Sequence, residues 1–370
     1  MNTISLVAET LFYLVRVAMG NDASKPIDKA VDWNVLLEHA TRQGVAAITF
    51  DAIESLYNAG AFNFGKIVDG NLLQANWYGA VMMQEQVYRQ HESTITKLSS
   101  FFANYGIDMM VLKGYGLSLN YPRPNHRPCG DIDIWLRGKQ VEADEILKKA
   151  KGIIPHKSSH HTIFFVEGCE IENHITLLEY DTHKSNIPMD KYLTKLANEK
   201  AETIYVQGKR VLLPTPDFNA HFLLRHNAIH FTVEGITIRH LLDWATFVKQ
   251  YSDDIDWNEL YEYAGKNNMD VFLSCLNAIC VDYLGYDAQL FPIRKKYTKL
   301  EKRIVNDVLS GEFNDVIPDR HRQFVKYCYV KTKRLWANRW KSRITNSDSF
   351  VSELFHYATN RVKETIIYKV

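Results

Sequence analysis

MMVLKGYGLSLNYPRPNHRPCGDIDIWL, residues 109–136, is the stretch whose reading decides the fold. The apolar run that ends at Leu112 is too short for a helix and suits a buried strand from residue 107. Lys113-Gly114-Tyr115-Gly116 follows, and its two glycines free the backbone for a tight strand-to-helix turn. One helical turn is expected over residues 117–121, then an extended loop, because Pro122, Pro124 and Pro128 oppose helix. Residues 131–136 read as a second strand. On it Asp131 and Asp133 stand at i and i+2 and so point to one face. Two like charges on a dry face would repel and lose hydration, so the pair reads first as a divalent-metal site. The plainer alternative is two solvated acids at a strand end.

Upstream, residues 1–20, 33–56 and 70–104 repeat apolar positions at helical spacing, with Asp32 placed to cap the second of these stretches. Downstream, residues 139–151 form an amphipathic helix of good helix formers. HTIFFVEG (161–168) and CEIENHITLL (169–178) read as two strands joined at Glu167-Gly168. The second strand puts Glu170, Glu172 and His174 on one face. A polar helix over 191–200 and a hairpin over 206–214 complete this part. After Pro214 the pattern is helical to the end, opening at Thr215-Pro216-Asp217. The expected class is α+β: a mixed-sheet core at 101–213 between helical regions at 1–100 and 214–370.

Composition narrows the partners. The 370 residues carry a net charge of +1, so global charge points to neither nucleic acid nor an acidic partner. Cys129, Cys169, Cys275, Cys280 and Cys328 make an odd count without a CxxC motif, which suits reduced thiols and a cytoplasmic location. Glu9 and Arg16 interrupt the first apolar run, and no stretch reaches the ~18 apolar residues of a spanning helix, so no membrane partner is expected. Between Arg320 and Arg343 lie nine Lys and Arg and no acid, interleaved with Phe324, Tyr327, Tyr329, Trp336 and Trp340. Such a segment can bind RNA, but an amphipathic helix with a solvated basic face is the preferred reading.

The spacing offers the parts of metal-assisted phosphoryl or nucleotidyl transfer. Asp131 and Asp133 are hard oxygen ligands for Mg²⁺. Glu172 is a third acid, able to complete the metal shell or to act as base. Gly114 to Gly116 open a helix whose N–H groups can face phosphate, and Lys113 and Arg127 are the nearest cations, each equally suited to a salt bridge. His174 is read as supporting or structural, because Mg²⁺ prefers oxygen. His221, His226 and His230 share a helical face and are assigned to packing or to substrate rather than to zinc. Arg239 and Asp243, at i and i+4, read as a structural pair.

LKGYGL, Arg127 and GDIDIWL together resemble the nucleotidyltransferase superfamily related to DNA polymerase β. More narrowly, Lys113-Gly114, Tyr121-Pro122, Arg127, Asp131-Ile132-Asp133, Glu172-Asn173-His174 and RHLLDWATF (239–247) are similar to a bacterial family of uncharacterised nucleotidyltransferases. The resemblance covers residues 100–250. It implies a minimal nucleotidyltransferase core with Mg²⁺ or Mn²⁺ held by Asp131, Asp133 and Glu172, and nucleotide contacts at Lys113, Gly114, Tyr115, Gly116 and Arg127. It further implies transfer of NMP from an NTP to a hydroxyl on a small molecule, sugar, protein or RNA. Two departures stand out. Tyr115 occupies the place of the superfamily's phosphate-binding Ser, and the third acid is Glu, with Glu170 a competitor for the role. The alternative is a non-catalytic or regulatory binding protein on a degenerate core.

Overall fold

The computed structural model describes residues 5–21, 31–157, 160–180, 183–310 and 322–348. Four helices come first: α1 Leu6–Ala18, α2 Trp33–Arg42, α3 Ala46–Asn58 and α4 Gly70–Ala103. The middle of the chain supplies β1 Met110–Val111, α5 Lys113–Ser118, β2 Ile132–Trp135, α6 Gln140–Lys151 and β3 His156–Lys157. It continues with β4 His161–Val166, β5 Cys169–His174, α7 Asn186–Glu199, β6 Glu202–Val206 and β7 Lys209–Leu213. Helices α8 Pro216–Val233, α9 Ile238–Tyr251, α10 Trp257–Lys266, α11 Asp270–Asp282, α12 Thr298–Ser310 and α13 Phe324–Thr345 follow. None of the described helices is long and apolar enough to cross a membrane.

The strands form one seven-stranded sheet in the order β3-β4-β5-β2-β1-β7-β6. It is mixed: β2 runs antiparallel to β1 but parallel to β5, and β1 runs parallel to β7. Two hairpins close through Glu167-Gly168 and Gln207-Gly208, where both residues of each pair take positive φ. Successive positive φ values give a turn whose twist matches the flanking strands, and glycine accommodates the second of them. Both sheet faces are covered, and period-two alternation sorts the side chains between them. Val111, Ile132, Ile134 and Ile171 meet Ile95, Leu98 and Phe102 of α4 in one apolar cluster. Met110, Leu112, Trp135 and Leu212 join a second cluster, in which Leu11 and Ile48 of the early helices pack with Phe222, Leu241 and Phe272 of the late ones. The two helical ends of the chain thus share a core on one side of the sheet.

Several boundaries differ from the pattern reading, each for a local reason. The strand expected from residue 107 pairs only over Met110–Val111. Helix α5 begins at Lys113, before the glycines rather than after them, and its backbone breaks at Gly114 (φ 9, ψ -96). Pro124–His126 is a single 3-10 turn, not extended chain. A proline at the first position of such a turn loses no hydrogen bond, since that N–H has no internal partner. The short strand β3 pairs with β4 and carried no alternation signal of its own.

The loop between α5 and β2 is clamped to the early helices. His126 is buried, with Nδ1 3.0 Å from Asp51 of α3 and Nε2 3.1 Å from Glu85 of α4. Arg123 reaches Asp51 at 2.6 Å and Glu54 at 3.1 Å. Burial lowers the His126 pKa, but the Asp51 and Glu85 carboxylates outweigh it and raise the imidazole above its ordinary value of 6.5. A raised folded-state pKa gives stability that is complete below the unfolded value and is lost as pH climbs through the folded one. The melting temperature of the wild type should therefore fall relative to His126→Gln as pH climbs above the ordinary imidazole value of about 6.5. Parallel pH profiles for the two proteins would refute this.

At the other end, α13 uses part of its basic surface for packing. Lys341 pairs with Asp307 at 2.7 Å, both buried, and Arg303 lies 3.9 Å from the Trp340 ring centre. Trp336 and Tyr329 remain exposed. Arg320 lies outside the described residues.

Candidate active site

Register brings the acids together. In the parallel pairing of β2 with β5, Asp133 stands beside Glu172 and Trp135 beside His174. Residues in register on adjacent strands share a face, so Asp133, Glu172 and His174 project from the same side of the sheet. His161, opposite His174 in the β4–β5 pairing, joins them.

Asp133 is almost fully buried, and its Oδ1 accepts from Lys113 Nζ at 2.7 Å and lies 2.8 Å from His174 Nε2. His174 Nδ1 lies 3.2 Å from the Thr176 carbonyl, to which it donates, leaving Nε2 turned toward the carboxylates. The Glu172 oxygens sit 3.4 Å from His161 Nε2 and 3.7 Å from His174 Nε2. Lys113 itself has φ 39, a left-handed backbone that a side-chain-bearing residue takes at a cost of about 1–3 kcal/mol.

The two acids behave oppositely. Burial would raise Asp133, but Lys113 and His174 prevail and hold its carboxyl well below the usual range. Burial and the neighbouring Asp133 and Asp131 carboxylates push Glu172 up to about 8. For Lys113, burial is outweighed by Asp133 and Asp131, and its pKa rises. Burial and the adjoining His174 lower His160 to about 3 and His161 to about 4.

The residues fit a divalent cation. Asp133, Glu172 and His174 each offer a ligand atom, and these atoms lie within 4.8 Å of one another. A second positive charge would relieve the carboxylate crowding that raises Glu172. With two oxygens and one imidazole nitrogen, the set accommodates Mn²⁺ more readily than Mg²⁺, which favours oxygen alone.

The expected site residues separate into three groups. Asp133, Glu172 and Lys113 converge. Asp131 is not in the ligand trio: β2 starts at Ile132, and Asp131 sits half-buried in the preceding bend. Its charge still reaches Lys113 and Glu172. Glu170 is nearer the start of β5, opposite Phe165, and is not part of the ligand trio. Gly116 fits against β7, where a Cβ would come within 3.2 Å of Leu213 Cδ2. A Cβ on Gly114 would meet the Asp131 carbonyl at 3.5 Å, an ordinary contact.

Two side chains are engaged elsewhere. Tyr115 is buried against Tyr88, and its hydroxyl donates to Glu92 of α4 at 3.1 Å. Arg127 is buried too, with Nε and Nη2 on the two oxygens of Asp243 at 3.0 and 2.8 Å. The partner is on α9, not Asp131 or its neighbours. This also corrects the expected Arg239–Asp243 pair: Tyr121 donates to Asp243 at 2.7 Å, and with Arg127 it fills that carboxylate.

His174 is the member that sequence reasoning underrated. The Glu172-x-His174 alternation already placed it on the acid face; only the preference of Mg²⁺ for oxygen argued it out of the ligand set.

A family model described as "Uncharacterised nucleotidyltransferase" matches residues 29–285, more than half of the chain. Among solved structures the chain is similar to an antigenic nucleotidyltransferase-like protein from Paracoccidioides brasiliensis, at 16% identity and a TM-score of 0.31. That match covers 43% of this chain and 75% of the other. Curated proteins give no match.

Proposed function

The chain belongs to the uncharacterised nucleotidyltransferase family, and from that premise we propose that it moves a nucleoside monophosphate from an NTP to a hydroxyl group. The observation that carries the reading is the in-register pair of Asp133 and Glu172, set beside the Lys113–Gly116 turn. Asp133, Glu172 and His174 would hold the divalent cation, with Asp131 adding charge from the bend. When bound, the ion supplies charge neutralisation at the triphosphate.

The chain's own residues do the rest. Lys113, anchored on Asp133, places an ammonium beside the phosphates. Glu172, the less buried of the two paired acids, takes the proton of the attacking hydroxyl. The hydroxyl oxygen then bonds to the alpha-phosphorus, the bond from that phosphorus to the bridging oxygen breaks, and pyrophosphate leaves.

Calorimetry with a non-hydrolysable NTP, with and without Mn²⁺ or Mg²⁺, tests the reading, together with transfer of alpha-phosphate label to acceptors in a cell extract. Metal-dependent binding and label transfer are expected. Absence of any NTP binding with either ion would sink the proposal. One observation favours a second reading, a regulatory nucleotide binder: the residue in place of the phosphate-binding Ser is Tyr115, and its side chain faces α4. NTP binding without label transfer is its signature.

A further inference from the structure

An amphipathic helix with only a solvated basic face would turn its aromatic rings into the core, and α13 divides them. Trp340 is half-buried and meets Phe231 edge-on, with ring centres 5.4 Å apart. Tyr329 is 68% exposed and Trp336 59%. Along the 22 residues of the helix, Lys326, Tyr329, Lys333, Trp336, Arg339 and Arg343 are all exposed. They follow one another at steps of three or four residues, the spacing of a single helix face. Cations and rings therefore alternate along one solvent-facing stripe.

The positive charge of that stripe is not matched by acids. Residues 322–347 contain no Asp or Glu. Among the described residues no carboxylate forms an ion pair with Lys326, Lys333, Arg339 or Arg343, whereas Lys341 is buried against Asp307 at 2.7 Å. The acids that α12 contributes beside α13, Glu301 and Asp307, are both buried. Helix α12 adds a cation instead: Arg303, itself exposed, lies 3.9 Å from the Trp340 ring centre. Arg339 donates from Nη1 to the Trp336 carbonyl at 2.8 Å, and its guanidinium lies 4.7 Å from the Trp336 ring centre. This holds a phosphate-matching fork beside an exposed indole.

An unpaired polynucleotide strand presents the complementary order, bases that stack on rings and phosphates that pair with cations. Tyr329 and Trp336 are two helical turns apart, about 10 Å along the axis, and Lys333 lies between them. A membrane surface asks for something else, an exposed apolar face that enters the acyl boundary. On α13 Trp340 and Ile344 pack on the protein core, and the two exposed rings are separated by cations. We propose that this stripe of α13 binds single-stranded nucleic acid, with Tyr329 and Trp336 stacking on bases and Lys326, Lys333, Arg339 and Arg343 meeting phosphates. The site is independent of nucleotidyl transfer and does not rest on that reading.

Fluorescence anisotropy of a labelled oligouridylate, titrated with the full chain over a range of salt concentrations, tests it. Trp336→Ala should weaken binding about tenfold, the loss of one stacked base. Lys333→Gln should flatten the slope of log affinity against log salt by about 0.7, the share of one phosphate contact on a single strand. Both side chains are exposed, so the melting temperature should stay unchanged. Lys148→Gln, an exposed lysine on α6, should leave affinity and slope as they are. No oligouridylate binding at low salt, binding unaffected by Trp336→Ala, or an equal loss in Lys148→Gln overturns the proposal. Trp336-dependent sedimentation with phosphatidylserine vesicles in the absence of oligouridylate binding also overturns it, and gives the face to a membrane.

Discussion

Asp133→Asn should lower nucleotidyl transfer by about a thousandfold or more, equivalent to roughly 4 kcal/mol of transition-state stabilisation. Three roles meet in this carboxylate. It is one of the three groups that would hold the metal, with Glu172 and His174; it anchors Lys113 at 2.7 Å; and it lies 2.8 Å from His174 Nε2. The amide keeps the shape and loses a charge that Lys113 stabilises, so the chelator-treated variant should melt lower at neutral pH, and activity is compared at a temperature where both proteins are folded. Calorimetric Mn²⁺ binding should weaken in parallel with transfer. Full activity in Asp133→Asn would remove the site from this part of the sheet. Glu172→Gln gives the opposite pattern of stability. A carboxyl raised to about 8 costs stability as pH climbs from its ordinary 4.5 toward that value. In chelated protein, Glu172→Gln should therefore melt higher than the wild type at pH 8, and the gain should shrink toward pH 5. Stability gained as activity falls is the mark of a site that evolution left strained.

How far the sequence carried this reading depends on the range of each interaction. Asp133 and the Glu172-x-His174 face were legible because strand alternation is a period-two property of neighbouring residues. The two hairpin turns were legible for the same reason, each marked by its glycine. Asp131 lies one residue before the paired part of β2, so strand alternation alone does not place its side chain. Tyr115 was read as a nucleotide contact because it stands where the resembled superfamily has its phosphate-binding Ser, but the burial of its ring against Tyr88 is a tertiary fact with no local signal. The Arg239–Asp243 spacing satisfied the helical i, i+4 rule and still failed. The winning partner, Arg127, is 116 residues away in sequence and comes with a fixed two-point geometry.

That long-range pair carries the second large effect: Asp243→Ala should destabilise the fold by about 3–5 kcal/mol, a fall of the order of 10 °C in melting temperature. The reason is what it leaves behind. Arg127 is 3% exposed, and without Asp243 its Nε and Nη2 lose both oxygens, while Nη1 keeps the Pro128 carbonyl at 2.9 Å and Cys129 Sγ at 3.6 Å. Tyr121 loses its acceptor as well. Burial opposes ionisation of Asp243, but Arg127 holds its pKa below the usual carboxylate value, so this stability is present above about pH 4 and is lost as pH falls through the folded value. A double-mutant cycle separates the two possible partners. Arg127→Met and Asp243→Leu should couple strongly, with the double variant recovering much of what Asp243→Ala loses, because an apolar pair of similar volume desolvates without cost. Arg239→Met and Asp243→Leu should be close to additive. Strong coupling in the second cycle and none in the first would restore the helical pair and dismiss the tertiary one. The loop between Arg127 and Asp131 hangs from this contact, so Asp243→Ala should also reduce nucleotidyl transfer at temperatures where the protein is still folded. The pair therefore positions the site without touching substrate, and the activity lost to it should return with the Arg127→Met, Asp243→Leu double variant only as far as the loop regains its place.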